Sequence, residues 1–201
     1  MSNLTLITGG ARSGKSSFAE LLAAYPGLPV VYIATAQVYD EEMELRVKKH
    51  REQRPSDWDL VEEPLDISSV LEKYRKEQVV LLLDCVTLWL TNLLLSEYSE
   101  ELEEKPLAQD QKEKVILDQV RAVAQIAQEI VPQVIMVTNE VGQGIVPDNP
   151  LSRAYRDLAG RTNQILGRAA SKVYSVVAGY PIEIKESGQA LLASLQREVD
   201  V

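Results

Sequence analysis

The chain has 201 residues, 45% hydrophobic and 25% charged, the balance of an ordinary globular protein with a sizeable core. That length suits one α/β domain and is short for two, and no apolar run approaches the thickness of a bilayer, so no stable membrane insertion is expected. Thirty acidic against twenty-one basic residues give a formal charge of −9, which argues against sequence-independent nucleic-acid binding, because phosphate backbones attract basic surfaces.

The chain opens on an apolar strand, Leu4 to Thr8, that runs directly into G-x-x-x-x-G-K-S. Gly9, Gly10, Ala11, Arg12, Ser13, Gly14, Lys15 and Ser16 therefore read as a phosphate cradle at the start of a helix predicted from Ser16 to Ala24. The glycines let backbone N–H groups curl round phosphate oxygens, the helix aims its positive end at them, Lys15 reaches the β/γ oxygens, and the Ser16 hydroxyl suits Mg²⁺. Residues 1–8 lack the basic segment, apolar stretch and small-residue cleavage site of a leader, which predicts cytoplasmic residence.

Further apolar runs at Val30 to Ala34, Val79 to Asp84, Val134 to Thr138 and Val173 to Ala178 read as doubly buried strands. Helical spacing occupies Glu41 to Arg54, Ile67 to Lys76, Thr87 to Glu97, Lys112 to Val131 and Arg153 to Ala170. The acidic stretch Ser96 to Lys105, ahead of Pro106, reads as a mobile loop, and Tyr180 to Lys185 as an edge strand, since Pro181 lacks a ladder donor. Alternating strand and helix predict a mostly parallel sheet with helices on both faces, the P-loop nucleotide-binding (RecA-like) architecture, as a single domain over residues 1–185. Residues 186–201 are left as a tail or short helix.

Val79 to Asp84 has the form of the second nucleotide-site element, an apolar strand ending in an acid that positions magnesium beside Ser16. A strand-terminal Asp also suits capping of the next helix. The single cysteine, Cys85, cannot form an internal disulfide, which fits a reducing compartment; its apolar setting reads as a buried structural thiol. The single histidine, His50, lies on a basic helical segment with Arg46, Lys49, Arg51 and Arg54. A neutral imidazole is able to attack a nucleotide's α-phosphorus, and a solvated histidine on a charged helix fits the same pattern. Residues 139–150, at the C-terminal end of a predicted strand, lie where α/β sheets bind ligands; Arg153, Arg156 and Arg161 after them suit anionic groups or surface ion pairs equally.

These motifs occur in one order: the glycine loop at 9–16, Tyr-Ile-Ala-Thr-Ala at 32–36, Asp-Glu-Glu-Met at 40–43 with His50 and Arg54-Pro55, Trp58, Asp84-Cys85, Thr-Asn at 91 and 92, and Thr-Asn-Glu-Val-Gly at 138–142. With Tyr-Arg-Asp-Leu-Ala-Gly-Arg-Thr-Asn at 155–163, the set resembles the bifunctional adenosylcobinamide kinase / adenosylcobinamide-phosphate guanylyltransferase family over roughly residues 3 to 185. The resemblance implies phosphorylation of adenosylcobinamide by ATP or GTP, then transfer of GMP from GTP to that phosphate, with pyrophosphate released. It implies that His50 carries GMP covalently and that Ala34, Thr35, Ala36, Arg51, Glu52, Gln53, Arg54, Glu62 and Asp84 complete the nucleotide site. It also implies a homotrimer with sites between subunits. Lys49 stands where the family often has a second histidine, which leaves one nucleophile and, beside it, a positive charge that favours the neutral imidazole. Two other readings fit the glycine loop alone: a plain small-molecule kinase, and a RecA-like ATPase switch.

Overall fold

The computed structural model describes residues 2–37, 55–96 and 106–199. Strand β1 (Leu4–Gly9) leads into helix α1 (Lys15–Ala24), and β2 (Val30–Ala34) follows. Then come β3 (Asp59–Glu62), α2 (Ile67–Lys73), β4 (Val80–Asp84), α3 (Val86–Ser96), α4 (Pro106–Glu129), β5 (Gln133–Asn139), α5 (Pro150–Ala169), β6 (Lys172–Val177), β7 (Tyr180–Glu183) and α6 (Lys185–Val199). The helix expected over Glu41 to Arg54 lies outside the described residues, as does nearly all of the acidic stretch after Ser96.

The strands form one sheet in the order β3-β2-β4-β5-β1-β6-β7. All pairings are parallel except that of β6 with β7. Side chains alternate across the pleat, and the inner strands are apolar on both faces as parallel strands must be. Leu4, Leu6, Leu81, Leu83, Val134 and Met136 pack on the face covered by α2 to α5. Ile7, Val80, Leu82, Ile135 and Val137 point the other way, against Ala19 and Ala23 of α1. At about 2 kcal/mol per buried aliphatic side chain, these two layers hold the strand ends in register. Among the described residues, no helix is long and apolar enough to cross a membrane.

Several boundaries depart from expectation. Strand β3 has no sequence signature, because Asp59 to Glu62 is mostly exposed and its one half-buried position, Val61, gives no alternation. It forms because β2 offers a free edge, with Ala34 opposite Glu62. Helix α4 starts at Pro106 rather than Lys112, and α5 at Pro150 rather than Arg153. Proline lacks the N–H that a first helical turn leaves unpaired anyway, and Asn149 caps α5 by accepting from the Ser152 N–H at 2.8 Å. Strand β7 is the edge expected from Pro181, and residues 185–199 are helical.

Candidate functional site

A cavity of about 760 Å³ opens at the C-terminal ends of β1, β2, β4 and β5. The loop from β1 to α1 supplies Ala11, Arg12, Ser13, Gly14, Lys15 and Ser16 to its wall; β2 supplies Tyr32 and Ala34, and Ala36 follows; β4 supplies Asp84. Two glycines are fixed here by geometry. A Cβ on Gly9 would lie 2.6 Å from the Val176 carbonyl oxygen and 2.6 Å from Ser13 Oγ, and Gly14 has φ +94° in the left-handed region. The loop turns sharply enough for even Arg12 to take φ 56°. Gly14 is the N-cap of α1, so the helix's unpaired N–H groups face the cavity, the arrangement that binds phosphate.

Lys15 is only 8% exposed, and its Nζ donates to the Gly10 carbonyl oxygen at 3.1 Å. Burial holds its ammonium below the ordinary 10.5, an effect the Asp84 carboxylate partly offsets. Tyr32 donates its hydroxyl proton to Asp84 Oδ2 at 3.2 Å. Thr35 is wholly buried and clamps the strand end: its Oγ1 donates to the Cys85 carbonyl at 2.8 Å and accepts from the Cys85 N–H at 3.1 Å. Its own carbonyl accepts from Asn92 Nδ2 at 2.7 Å. Thr35 thus shapes the wall between Ala34 and Ala36 from behind.

Burial, with the nearby Asp84 charge, pushes the Cys85 thiol up to about 11. It stays protonated at neutral pH, which fits a structural thiol. Its Sγ shares a hydrogen bond with Thr87 Oγ1 at 3.0 Å.

The opposite wall comprises Thr87, Leu88, Asn139 and Tyr155. Asn139 Nδ2 donates to Thr87 Oγ1 at 2.8 Å, and the Tyr155 hydroxyl donates to the Thr87 carbonyl at 3.1 Å. Asn163 Nδ2 holds the Asn139 carbonyl at 3.2 Å while its Oδ1 accepts from Thr138 Oγ1 at 2.7 Å. Burial raises the Tyr155 phenol above its usual range, so it serves as a neutral donor and acceptor. Sequence reasoning singled out Asp84 and the glycine loop but gave no site role to Tyr32, Thr87 or Tyr155. No local pattern marks them: Tyr32 lies on β2, Thr87 just after β4, and Tyr155 reaches Thr87 from α5, so they meet only once the sheet order is set.

The other expected residues are placed differently. Gly9 ends β1, Gly10 offers its carbonyl to Lys15, and Glu62 ends β3 beside Ala34; none of the three lines the cavity. His50, Arg51, Glu52, Gln53 and Arg54 lie outside the described residues. Of the three arginines of α5, Arg156, 3.6 Å from Asp157, and Arg161, 2.7 Å from Glu113, follow the ion-pair alternative, whereas Arg153 donates to the Pro147 and Asp148 backbone carbonyls.

A glycine loop between a parallel strand and a helix N-terminus, a buried lysine and a strand-end acid in one cavity define a P-loop protein of the α/β class. Residues 5–184 match the family model for cobinamide kinase / cobinamide phosphate guanyltransferase, and the chain belongs to that family. It is 42% identical over 180 residues to the bifunctional adenosylcobalamin biosynthesis protein CobP of Pseudomonas aeruginosa, covering 90% of this chain and 96% of that one. It is 40% identical over 182 residues to the bifunctional adenosylcobalamin biosynthesis protein CobU of Escherichia coli, covering 90% and 99%. Among solved structures, that of the RadB recombinase overlaps 87% of this chain and 74% of its own at 17% identity and a TM-score of 0.44.

Proposed function

We propose that the chain performs both reactions named in its family: phosphorylation of adenosylcobinamide by ATP or GTP, and transfer of GMP from GTP to the resulting phosphate, giving adenosyl-GDP-cobinamide. The observation that carries this reading is the meeting of Lys15, the α1 N-terminus and Asp84 in one cavity. Phosphoryl and nucleotidyl transfer need charge placed against phosphate oxygens, and this wall supplies it from Lys15 and from backbone N–H groups that are already oriented.

Ser16 and Asp84 would hold Mg²⁺. Both are hard oxygen donors on the cavity wall, and so small a protein set suits an ion that keeps several waters and takes phosphate oxygens. When bound, the ion neutralises developing charge on the transferred group.

In the guanylyl step, a nitrogen of His50 attacks the α-phosphorus of GTP. The N–P bond forms as the bond to the β-phosphate oxygen breaks, and pyrophosphate leaves. A phosphate oxygen of adenosylcobinamide phosphate then displaces His50, so the N–P bond breaks and the new P–O–P link forms. The family membership and the basic neighbours Arg46, Lys49, Arg51 and Arg54 support this role. The working form is taken as a cytoplasmic homotrimer.

Product analysis tests the proposal. The wild-type protein supplied with GTP and adenosylcobinamide should yield the phosphate and then the GDP adduct, whereas His50→Ala should stop at the phosphate. GMP transfer by His50→Ala at the wild-type rate would overturn the histidine's role, and no phosphorylation by the wild type would overturn the kinase assignment.

A further inference from the structure

The ring of Tyr32 is buried in the core between the sheet and α1, 4% exposed, yet the residue also lines the cavity. Strand register accounts for both. Tyr32 of β2 lies opposite Leu82 of β4, and Ala34 lies opposite Asp84. Residues two apart on a strand share a face, so Asp84 is the diagonal neighbour of Tyr32, within reach of an aromatic side chain but not of a short one. The hydroxyl accordingly reaches Asp84 Oδ2 at 3.2 Å. Among the described residues, it is the hydrogen-bond donor that the Asp84 carboxylate has.

A carboxylate at a strand end is free to turn about two torsions, and the Lys15 ammonium attracts it. A donor rooted in the core removes that freedom. It occupies one oxygen and leaves the other directed by the ring's packing rather than by solvent.

We propose that Tyr32 is a positioning residue for the metal site: its hydroxyl fixes one oxygen of Asp84 so that the second is presented to Mg²⁺ beside Ser16. This rests on the reading of Asp84 as a metal ligand, and the experiment separates the two. Tyr32→Phe keeps the ring and removes only the hydroxyl; Asp84→Asn keeps the shape and removes the charge.

For each full-length protein, the affinity for a fluorescent GTP analogue is measured without divalent ion and across a Mg²⁺ series, and Mn²⁺ bound with the nucleotide is counted by electron paramagnetic resonance. For Tyr32→Phe the Mg²⁺ concentration at half-effect should rise about tenfold, the scale of one hydrogen bond to a charged group, while metal-free affinity stays within about twofold. Asp84→Asn should abolish the metal dependence. If Asp84→Asn abolishes it and Tyr32→Phe leaves it unchanged, the positioning role is overturned and the metal reading stands. A fall in both metal-free and metal-dependent affinity for Tyr32→Phe assigns the residue to packing alone and overturns the inference. An unaltered metal dependence in Asp84→Asn overturns the metal reading and the inference with it.

Discussion

The two borders of the sheet follow opposite rules. Along the C-terminal ends of β2, β4 and β5, polar side chains are tied to named partners, as Thr35 is to Cys85, Asn139 to Thr87 and Tyr32 to Asp84. Along the far edge, β7 and α6 leave apolar side chains open: Tyr180 is 76% exposed, Ile182 57%, and Leu191 and Leu192 61% each. The family match ends at residue 184, one residue before α6 begins. Cooperative hydrogen bonding thus accumulates where the triphosphate chemistry is proposed, while α6 is joined to the rest chiefly through its first turn. There Lys185 Nζ donates to the Gly167, Arg168 and Ala170 carbonyls at the end of α5, and Glu183 accepts from the Lys185 and Glu186 N–H groups.

This contrast is testable from its strongest point downward. Lys15→Ala removes the one buried ammonium on the described cavity wall, and should cost about 10² to 10³ in the rate of phosphoryl transfer, read by initial rates with the melting temperature unchanged. A loss below tenfold would place the transfer chemistry elsewhere.

Next is the alkaline stability of Cys85. The folded protein keeps this thiol neutral to about 11, whereas the unfolded chain ionises it near the ordinary 9.0. Between those values the unfolded state binds fewer protons, so stability is intact below pH 9 and falls as pH rises toward 11. The expected loss is about 3 kcal/mol by the top of that window. Cys85→Ala should lack that component, so the difference between the two denaturation curves should narrow across the window. A constant difference would contradict the burial argument.

Gly9→Ala should destabilise by about 2 kcal/mol, because one of the atoms crowding the new Cβ is the Val176 carbonyl oxygen of β6, which no rotamer change moves away. Urea denaturation reads that number. Smallest of all is ending the chain after Gly188, which keeps Lys185 and Glu186; both activities should stay within about twofold and the stability within ~0.5 kcal/mol. A larger drop would show that the exposed face of α6 is used by the working protein.

The sequence makes the same division visible in part. The glycine loop is legible because its residues are constrained one by one: Gly9 by a backbone oxygen, Gly14 by a positive φ, Lys15 by reach. The buried strands are legible because parallel strands need apolar residues on both faces. Strand β3 is not, since its pairing depends on an edge of β2 that only the assembled sheet reveals. The starts of α4 and α5 were hidden because Pro106 and Pro150 read as loop punctuation, although proline suits a first helical turn. Tyr32 and Tyr155 become site residues only through sheet order: β4 lies beside β2, which aims Tyr32 at Asp84, and α5 brings Tyr155 over the start of α3. No local pattern encodes such neighbours.

The account stands most directly on covalent capture of the nucleotide. GTP labelled at the α-phosphorus is mixed with the protein, the protein is denatured, and label bound to the chain is measured before and after mild acid. The account predicts a protein-bound label that acid releases, absent from His50→Ala and strongly reduced in Lys15→Ala. Wild-type protein that catalyses GMP transfer while carrying no label, or label that persists in His50→Ala, would contradict it.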